Sequence, residues 1–277
     1  MQINELFRDE IGLARADLMG IVSSVLGLPK ERLLMEPARR LDDGEWDRIR
    51  DLIGQRKKGK PLAYLTHRKE FFSETFYVDE RVLIPRPETE VLVEEALSII
   101  GKLDCCARVL DMGTGSGIIG ILLAKKGACR VLSVDVSLRA LEVAKANARA
   151  LSVEGRIDFA ASDLFSSLKG SPTFDLVCAN LPYVGLHEWD GLMEDVRFFE
   201  PKEALLGGAR GFELYARFAP EVGAYLRPGG SVLCEIGGEA QAQVVGDILR
   251  DAGFRVQVLR DLAGLQRVVR GTWTSSS

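Results

Sequence analysis

The stretch "DLVCANLPYVG", residues 175–185, ends an apolar run on an amide, a proline-locked backbone and an aromatic ring. Asn180 offers a side-chain carbonyl. Pro182 restricts Leu181 to extended conformations, which fixes the direction of the Leu181 main-chain carbonyl. Two such acceptors can take both hydrogens of a planar NH₂ group, and Tyr183 can stack on its face. A pocket of this kind suits an NH₂ on an sp² carbon: an amide, or the exocyclic amine of a base. That nitrogen is a poor nucleophile because its lone pair is delocalised. Holding it between two acceptors favours a pyramidal nitrogen and exposes the lone pair to an electrophile, which is catalysis by orientation and electrostatics. No strong base is needed beforehand, in keeping with the absence of an obvious catalytic His or Cys.

A second motif supplies the electrophile's place. "VLDMGTGSG", residues 109–117, follows a strand-like run and opens a helix. Gly113, Thr114, Gly115, Ser116 and Gly117 read as a tight loop that a ligand can approach closely. Residues 115–120 also match GxGxxG, a weak signal alone. Asp135 ends the next strand about twenty residues on, where a carboxylate can hold both ribose hydroxyls. The third strand ends in Ser162-Asp163, another polar cluster on the same rim. Asp111, just before the loop, can hold an ammonium group and would repel a pyrophosphate. These acids favour S-adenosylmethionine over NAD, with its sulfonium methyl as the electrophile. Competing readings at each site are a plain packing turn and a strand followed by a Pro-Tyr turn; the convergence of four strand ends on one rim argues against both.

These residues need an open parallel sheet, in which ligands bind beyond the C-terminal strand ends. From residue 107 strands alternate with helices, which predicts a parallel sheet covered on both faces. "RVQVLRD" and "LQRVVRGTW" predict two terminal strands added antiparallel at one edge. Residues 1 to about 60 show helical spacing, with Leu6, Leu13, Ala14, Leu18, Ile21 and Val25 on one side. "KEFFSETFYVD" predicts a β-hairpin, and two prolines flank Arg86 before a helix that begins near Glu88. The expected division is 1–62 as a helical docking domain, 63–90 as hairpin and linker, and 91–277 as the catalytic domain. "TSSS" at the end reads as a disordered tail.

Composition narrows the class. The 277 residues carry a net charge of −4, with 47% hydrophobic and 27% charged residues. No global basic field is available to hold nucleic acid. The run "QRKKGK" reads as a solvated helix end. The N-terminus lacks a signal-peptide pattern, and no apolar run is long enough to cross a bilayer. Five cysteines without CxxC and two histidines predict neither disulfide nor metal site. A cytoplasmic monomer is expected.

The blocks "KPLAYLTHRKEFF", "LIPRPETE", "VLDMGTGSGIIGI", "FDLVCANLPY", "EPKEALLGGARGFELY" and "LRPGGSVLCEIG" occur in an order that resembles the release factor glutamine methyltransferases, the PrmC/HemK family. The resemblance covers nearly the whole chain, and "LIPRPETE" is its most specific block. It implies a Rossmann-like class I methyltransferase sheet of seven strands. It also implies methylation of the N5 amide of the glutamine in the GGQ motif of class I peptide chain release factors. S-adenosylmethionine is the implied donor and S-adenosylhomocysteine the product. By position, the implied cofactor residues are Gly113–Gly117, Asp135, Asp163 and Leu164, and the implied amide-holding residues are Asn180–Tyr183. Arg86 and Glu88 are implied to shape the pocket mouth. The family tetrapeptide is Asn-Pro-Pro-Tyr; here Leu181 replaces its first proline. The needed acceptor is a backbone carbonyl, which Leu181 retains, so activity is expected to persist. The alternatives are an adenine N-methyltransferase, or a protein that binds cofactor or release factor without turnover.

Overall fold

The computed structural model describes residues 2–7, 12–171 and 173–274. The N-terminal helices are α1 (Ile3–Leu6), α2 (Arg15–Leu26), α3 (Lys30–Met35), α4 (Asp43–Lys57) and α5 (Leu62–Thr66). The predicted apolar side does form a core: Ile3, Leu6, Leu18, Ile21, Ile49 and Ile53 are buried together. The first stretch is nevertheless two helices. Gly12 has φ +73° and Ala14 is extended at φ −57°, ψ 137°, so helical geometry is interrupted before α2. Residues 8–11 at this junction lie outside the described residues. Asp42 caps α4 reciprocally with Glu45, a capping box that satisfies two otherwise unpaired donors.

The hairpin pairs β1 (Lys69–Phe71) with β2 (Glu74–Phe76). Its two turn residues, Phe72 and Ser73, both have positive φ, the geometry that matches strand twist in a two-residue turn. Helix α5 bridges the helical core and the rest of the chain: Leu62 packs on the first. Buried Tyr64 packs with Val78, Val82 and Ile84 and donates to the Val82 carbonyl at 2.6 Å.

The seven-stranded sheet follows α6 (Thr89–Ile100). Its order of elements is β3 (Ala107–Met112), α7 (Ile118–Lys126), β4 (Cys129–Asp135), α8 (Leu138–Ala150), β5 (Ile157–Ala161) and β6 (Phe174–Ala179). An excursion then carries β7 (Val184–Gly185), α9 (Glu194–Phe199) and β8 (Leu206–Gly208). The chain closes with α10 (Glu213–Val222), β9 (Leu226–Glu235), α11 (Glu239–Asp251), β10 (Phe254–Arg260) and β11 (Gln266–Trp273). The seven strands run in the order β10-β11-β9-β6-β3-β4-β5. Only β11 runs against the rest: it inserts between β9 and β10, antiparallel to both. The terminal pair is antiparallel as expected, but the edge belongs to β10. Of the expected tail, residues 275–277 lie outside the described residues.

Two apolar layers cover the sheet. Leu92, Val93, Ala96, Ile99 and Ile100 of α6 pack with α7 on one face. Phe218, Ala219 and Val222 of α10 pack with Val245 and Leu249 of α11 on the other. Each fully buried Leu, Ile, Val or Phe stabilises by about 1.5–3 kcal/mol. The chain runs β3-β4-β5 to one side and then returns to place β6 on the other side of β3. This reversal opens a crevice at the C-terminal ends of β3 and β6, the location where such sheets bind ligands.

The last glycine of the GxGxxG match has a packing role. A Cβ on Gly120 would meet the Ser133 hydroxyl at 2.5 Å and Asp111 Oδ2 at 2.9 Å. Gly120→Ala is therefore expected to cost about 1–3 kcal/mol by overpacking. Thermal unfolding checks this; an unchanged midpoint would show that α7 can shift freely.

Candidate active site

A cavity of about 360 Å³ lies at this crevice, within the usual range for small-molecule sites. Gly113, Thr114, Gly115 and Ser116 form one wall, with Asp135, Ser162, Asp163 and Leu164 beyond them. Asn180, Leu181, Pro182, Arg86 and Thr89 complete the lining. The parallel register of β3 and β6 pairs Met112 with Ala179, so the next residues, Gly113 and Asn180, emerge side by side. Gly113 has φ +75°, and a Cβ there would lie 3.2 Å from the Asn180 carbonyl oxygen. Glycine meets both demands.

The loop is held from below and from the side. Asp111 is fully buried. Its Oδ2 accepts from the Thr114 hydroxyl at 2.6 Å, the Gly120 N–H at 3.1 Å and the Ser133 hydroxyl at 3.4 Å. Its Oδ1 is buried without a partner. Burial pushes the carboxyl up to about 6, against these hydrogen bonds. Asp135 accepts from the Gly115 N–H at 2.9 Å and from the Ser137 N–H at 2.9 Å. Burial raises its pKa while those backbone donors oppose the shift.

Four expected site residues stand off the cavity wall, which corrects the simplest picture of the site. Asp111 lies beneath the loop rather than beside it. Gly117 turns toward α8, where a Cβ would meet Ala144. Glu88 begins α6 and faces Arg267 at 3.6 Å. Tyr183 is half-buried against Gly237, whose Cβ would lie 3.1 Å from its ring. Burial pushes the Tyr183 hydroxyl up to about 12, and the carboxylate of Glu235 adds to the shift. Asp163 reaches the cavity, but its carboxylate pairs with Arg217 at 2.7 Å.

Arg86 has a partner that its sequence neighbours did not announce. Its guanidinium pairs with Glu200 Oε1, and Glu200 Oε2 accepts from the Ile84 N–H at 3.1 Å. Pro85 and Arg86 line the cavity on one side of this pair and Pro201 on the other. The pair thus joins two cavity walls that are 114 residues apart in sequence. The "FFEP" context, a lone acid between aromatics and proline, was the available signal for Glu200.

The amide-presenting segment is fixed by its neighbours. Asn180 Nδ2 donates to Thr89 Oγ1 at 3.4 Å. Leu181 is buried, with its side chain against Gly113, and its N–H donates to the Tyr215 hydroxyl at 3.4 Å. Tyr215 in turn donates to the Glu235 carbonyl at 2.5 Å, stitching the ends of β6 and β9. Leu181 thus packs its side chain against the loop. Thr89 and Tyr215 were not assigned roles from sequence, and for Glu235 the "CEIG" context left two readings open, facing the pocket from its strand or orienting a neighbouring loop; nothing local shows that three distant elements meet at Asn180.

Among the described residues, no helix is long and apolar enough to cross a membrane, and no group of three or more His, Cys, Asp or Glu side chains could hold a metal ion.

The sheet order and the glycine loop at its reversal define a class I, adenosylmethionine-dependent methyltransferase. Family models agree: "Methyltransferase small domain" matches residues 89–198 and "PrmC N-terminal domain" residues 2–66. The release factor glutamine methyltransferase of Koribacter versatilis is 41% identical over 247 residues, covering 89% of this chain and 86% of that protein. That of Chlorobaculum tepidum is 38% identical over 268 residues, covering 94% and 89%. The chain belongs to the release factor glutamine methyltransferase family. Among solved structures, the hMettl16 catalytic domain in complex with an RNA hairpin superposes with a TM-score of 0.58 at 16% identity, covering 85% of this chain and 83% of that one. At that identity the likeness is one of fold.

Proposed function

We propose that this protein methylates the side-chain amide nitrogen of the glutamine in the GGQ motif of class I peptide chain release factors. The observation that carries the reading is the placement of Asn180 and Leu181 at the end of β6, directly beside the Gly113 loop. An amide held there lies next to the wall that suits the methyl donor. S-adenosylmethionine supplies, when bound, a methyl group on an electron-poor sulfonium. The fit rests on the donor set: open backbone around Gly115, the Asp135 carboxylate at the rim, and the unpartnered Asp111 Oδ1 beneath.

Asn180 Oδ1 and the Leu181 carbonyl accept the two hydrogens of the substrate NH₂. This turns the nitrogen lone pair toward the loop side of the cavity. Pro182 keeps Leu181 extended, which keeps its carbonyl aimed. Tyr183, packed against Gly237 off the cavity wall, anchors the end of this turn rather than touching the amide. With the donor bound, the N–C bond would form as the donor's S–CH₃ bond breaks, the electron pair staying on sulfur as a neutral thioether, and the nitrogen would then release a proton to solvent or to an acceptor at the site. Leu181 in place of the family proline leaves both acceptors intact. Residues 1–62 serve as the release-factor docking module, 63–90 as the linker and 91–277 as the catalytic unit.

Asp135 is the ribose anchor in this reading. Two charged hydrogen bonds at about 1.5–3 kcal/mol each set the upper range for its loss. Asp135→Ala is expected to weaken adenosylmethionine binding by about ten- to a hundredfold, as read by calorimetry; unchanged affinity would place the ribose elsewhere. The reading as a whole is tested by incubating the protein with adenosylmethionine and a class I release factor. Mass spectrometry of the GGQ peptide should show a single added methyl on the glutamine. A methyl elsewhere, or none, would reject the substrate assignment.

A further inference from the structure

A buried carboxylate at the end of β9 has no role in the reaction as described. Glu235 is 1% exposed, and its Oε2 has no hydrogen-bond partner. Strands β6 and β9 pair in parallel with Ala179 opposite Cys234, so Asn180 and Glu235 follow side by side. The Tyr215 hydroxyl ties these two ends through the Glu235 carbonyl and the Leu181 N–H. Thr89, at the start of α6 and itself 1% exposed, completes the group. Its hydroxyl accepts from Asn180 Nδ2 and keeps its own proton to donate. Thr89 and Asn180 are the side chains whose hydrogen bonding favours the ionised Glu235.

We propose that Glu235 is a positioning residue for methyl transfer: with Thr89, its buried carboxylate sets the Asn180 carboxamide so that Nδ2 faces the protein and Oδ1 faces the substrate. The inference rests on the reading of Asn180 as the holder of the substrate amide. A carboxamide has two nearly isosteric orientations. In the other one, Oδ1 would face an acceptor-only carboxylate, and Asn180 would present its NH₂ to the substrate NH₂. Donor would meet donor, and the amide would not be held. An ionised Glu235 selects the productive orientation; a neutral acid, which can also donate, no longer discriminates.

The protonation state therefore matters. Burial pushes Glu235 up to about 7, Thr89 opposes the shift, and the charge of Glu88 reinforces it. The groups facing this pocket are Glu88 from the start of α6, Arg267 from β11, and Tyr183 and Asn180 after β6. Turnover should fall as the pH drops through about 7, because the selecting carboxylate becomes neutral.

The test uses the full chain, a class I release factor and three variants: Glu235→Gln, Thr89→Val and Thr89→Ser. Methylated glutamine gives kcat and KM, calorimetry gives S-adenosylhomocysteine affinity, and thermal melting reports the fold. Glu235→Gln should lower kcat at least tenfold, with KM and S-adenosylhomocysteine affinity within about twofold of wild type. It should also lose the acid limb of the pH profile. Thr89→Val should behave likewise, and Thr89→Ser should stay close to wild type. A Glu235→Gln variant with wild-type kcat and pH profile overturns the inference. So does a loss of kcat matched by an equal loss of cofactor affinity and melting temperature, which would mark a structural role. A wild type that leaves the glutamine unmethylated overturns the underlying reading, and the inference with it.

Discussion

Asn180→Ala is expected to reduce glutamine methylation by about 10²–10³-fold, the usual cost of removing one preorganised hydrogen-bonding group from a reacting centre. The substitution removes the Oδ1 acceptor while the Leu181 carbonyl remains. The substrate NH₂ would then be held at one hydrogen only, free to rotate into conjugation with its own carbonyl. Because the lost contact acts mainly on the reacting nitrogen, kcat should carry most of the change and KM for the release factor little of it. Adenosylmethionine should still bind, since the Gly113 loop and Asp135 belong to other elements. Single-turnover kinetics with mass detection of the GGQ peptide separates these effects. A variant that keeps more than about a tenth of wild-type kcat would falsify the amide-holding role.

Arg86→Leu is expected to destabilise the protein by about 3–5 kcal/mol, the typical cost of stranding one partner of a buried ion pair. The Glu200 side chain is 1% exposed, whereas that of Arg86 is 29% exposed. Removing the arginine therefore leaves the carboxylate in the interior with only the Ile84 N–H. Burial already raises the Glu200 pKa, and Arg86 restrains it. Without Arg86 the folded pKa rises further above the unfolded value. The folded state then holds a proton that the unfolded state has released, so stability falls as pH rises. The deficit of Arg86→Leu should thus be larger at pH 8 than at pH 5. Denaturant unfolding at both values tests this, and equal deficits would contradict it. The double variant Arg86→Leu/Glu200→Leu should recover most of the stability, since both charges are gone. It should not recover activity fully, because Pro85 and Pro201 on the two joined walls also shape the cavity.

The features legible in the sequence are those carried by local pattern. Alternating apolar runs and amphipathic stretches are enough to predict β3 through β6 with their helices. Gly113–Gly117 between a strand and a helix, Asp135 at the next strand's end and Asn180 at β6 fall on one rim because parallel strands all point the same way. The segment from 181 to 212 carries no such periodicity. Its short strands β7 and β8, of two and three residues, pair only with each other.

What the sequence by itself determined is therefore the order of elements, the rim on which the ligand-binding residues gather, and the amide-presenting turn at Asn180–Tyr183. The tertiary structure alone decided which distant side chains complete that rim. It brought Glu200 to Arg86, Thr89 and Glu235 to Asn180, and Arg267 to Glu88. It also placed β11 inside the sheet and turned Asp111 and Tyr183 away from the cavity. The physical reason is that propensity and capping act over a few residues. Burial of a charge or an amide is instead decided by whichever elements pack around it, and in this fold those are neighbours in space that lie far apart in sequence.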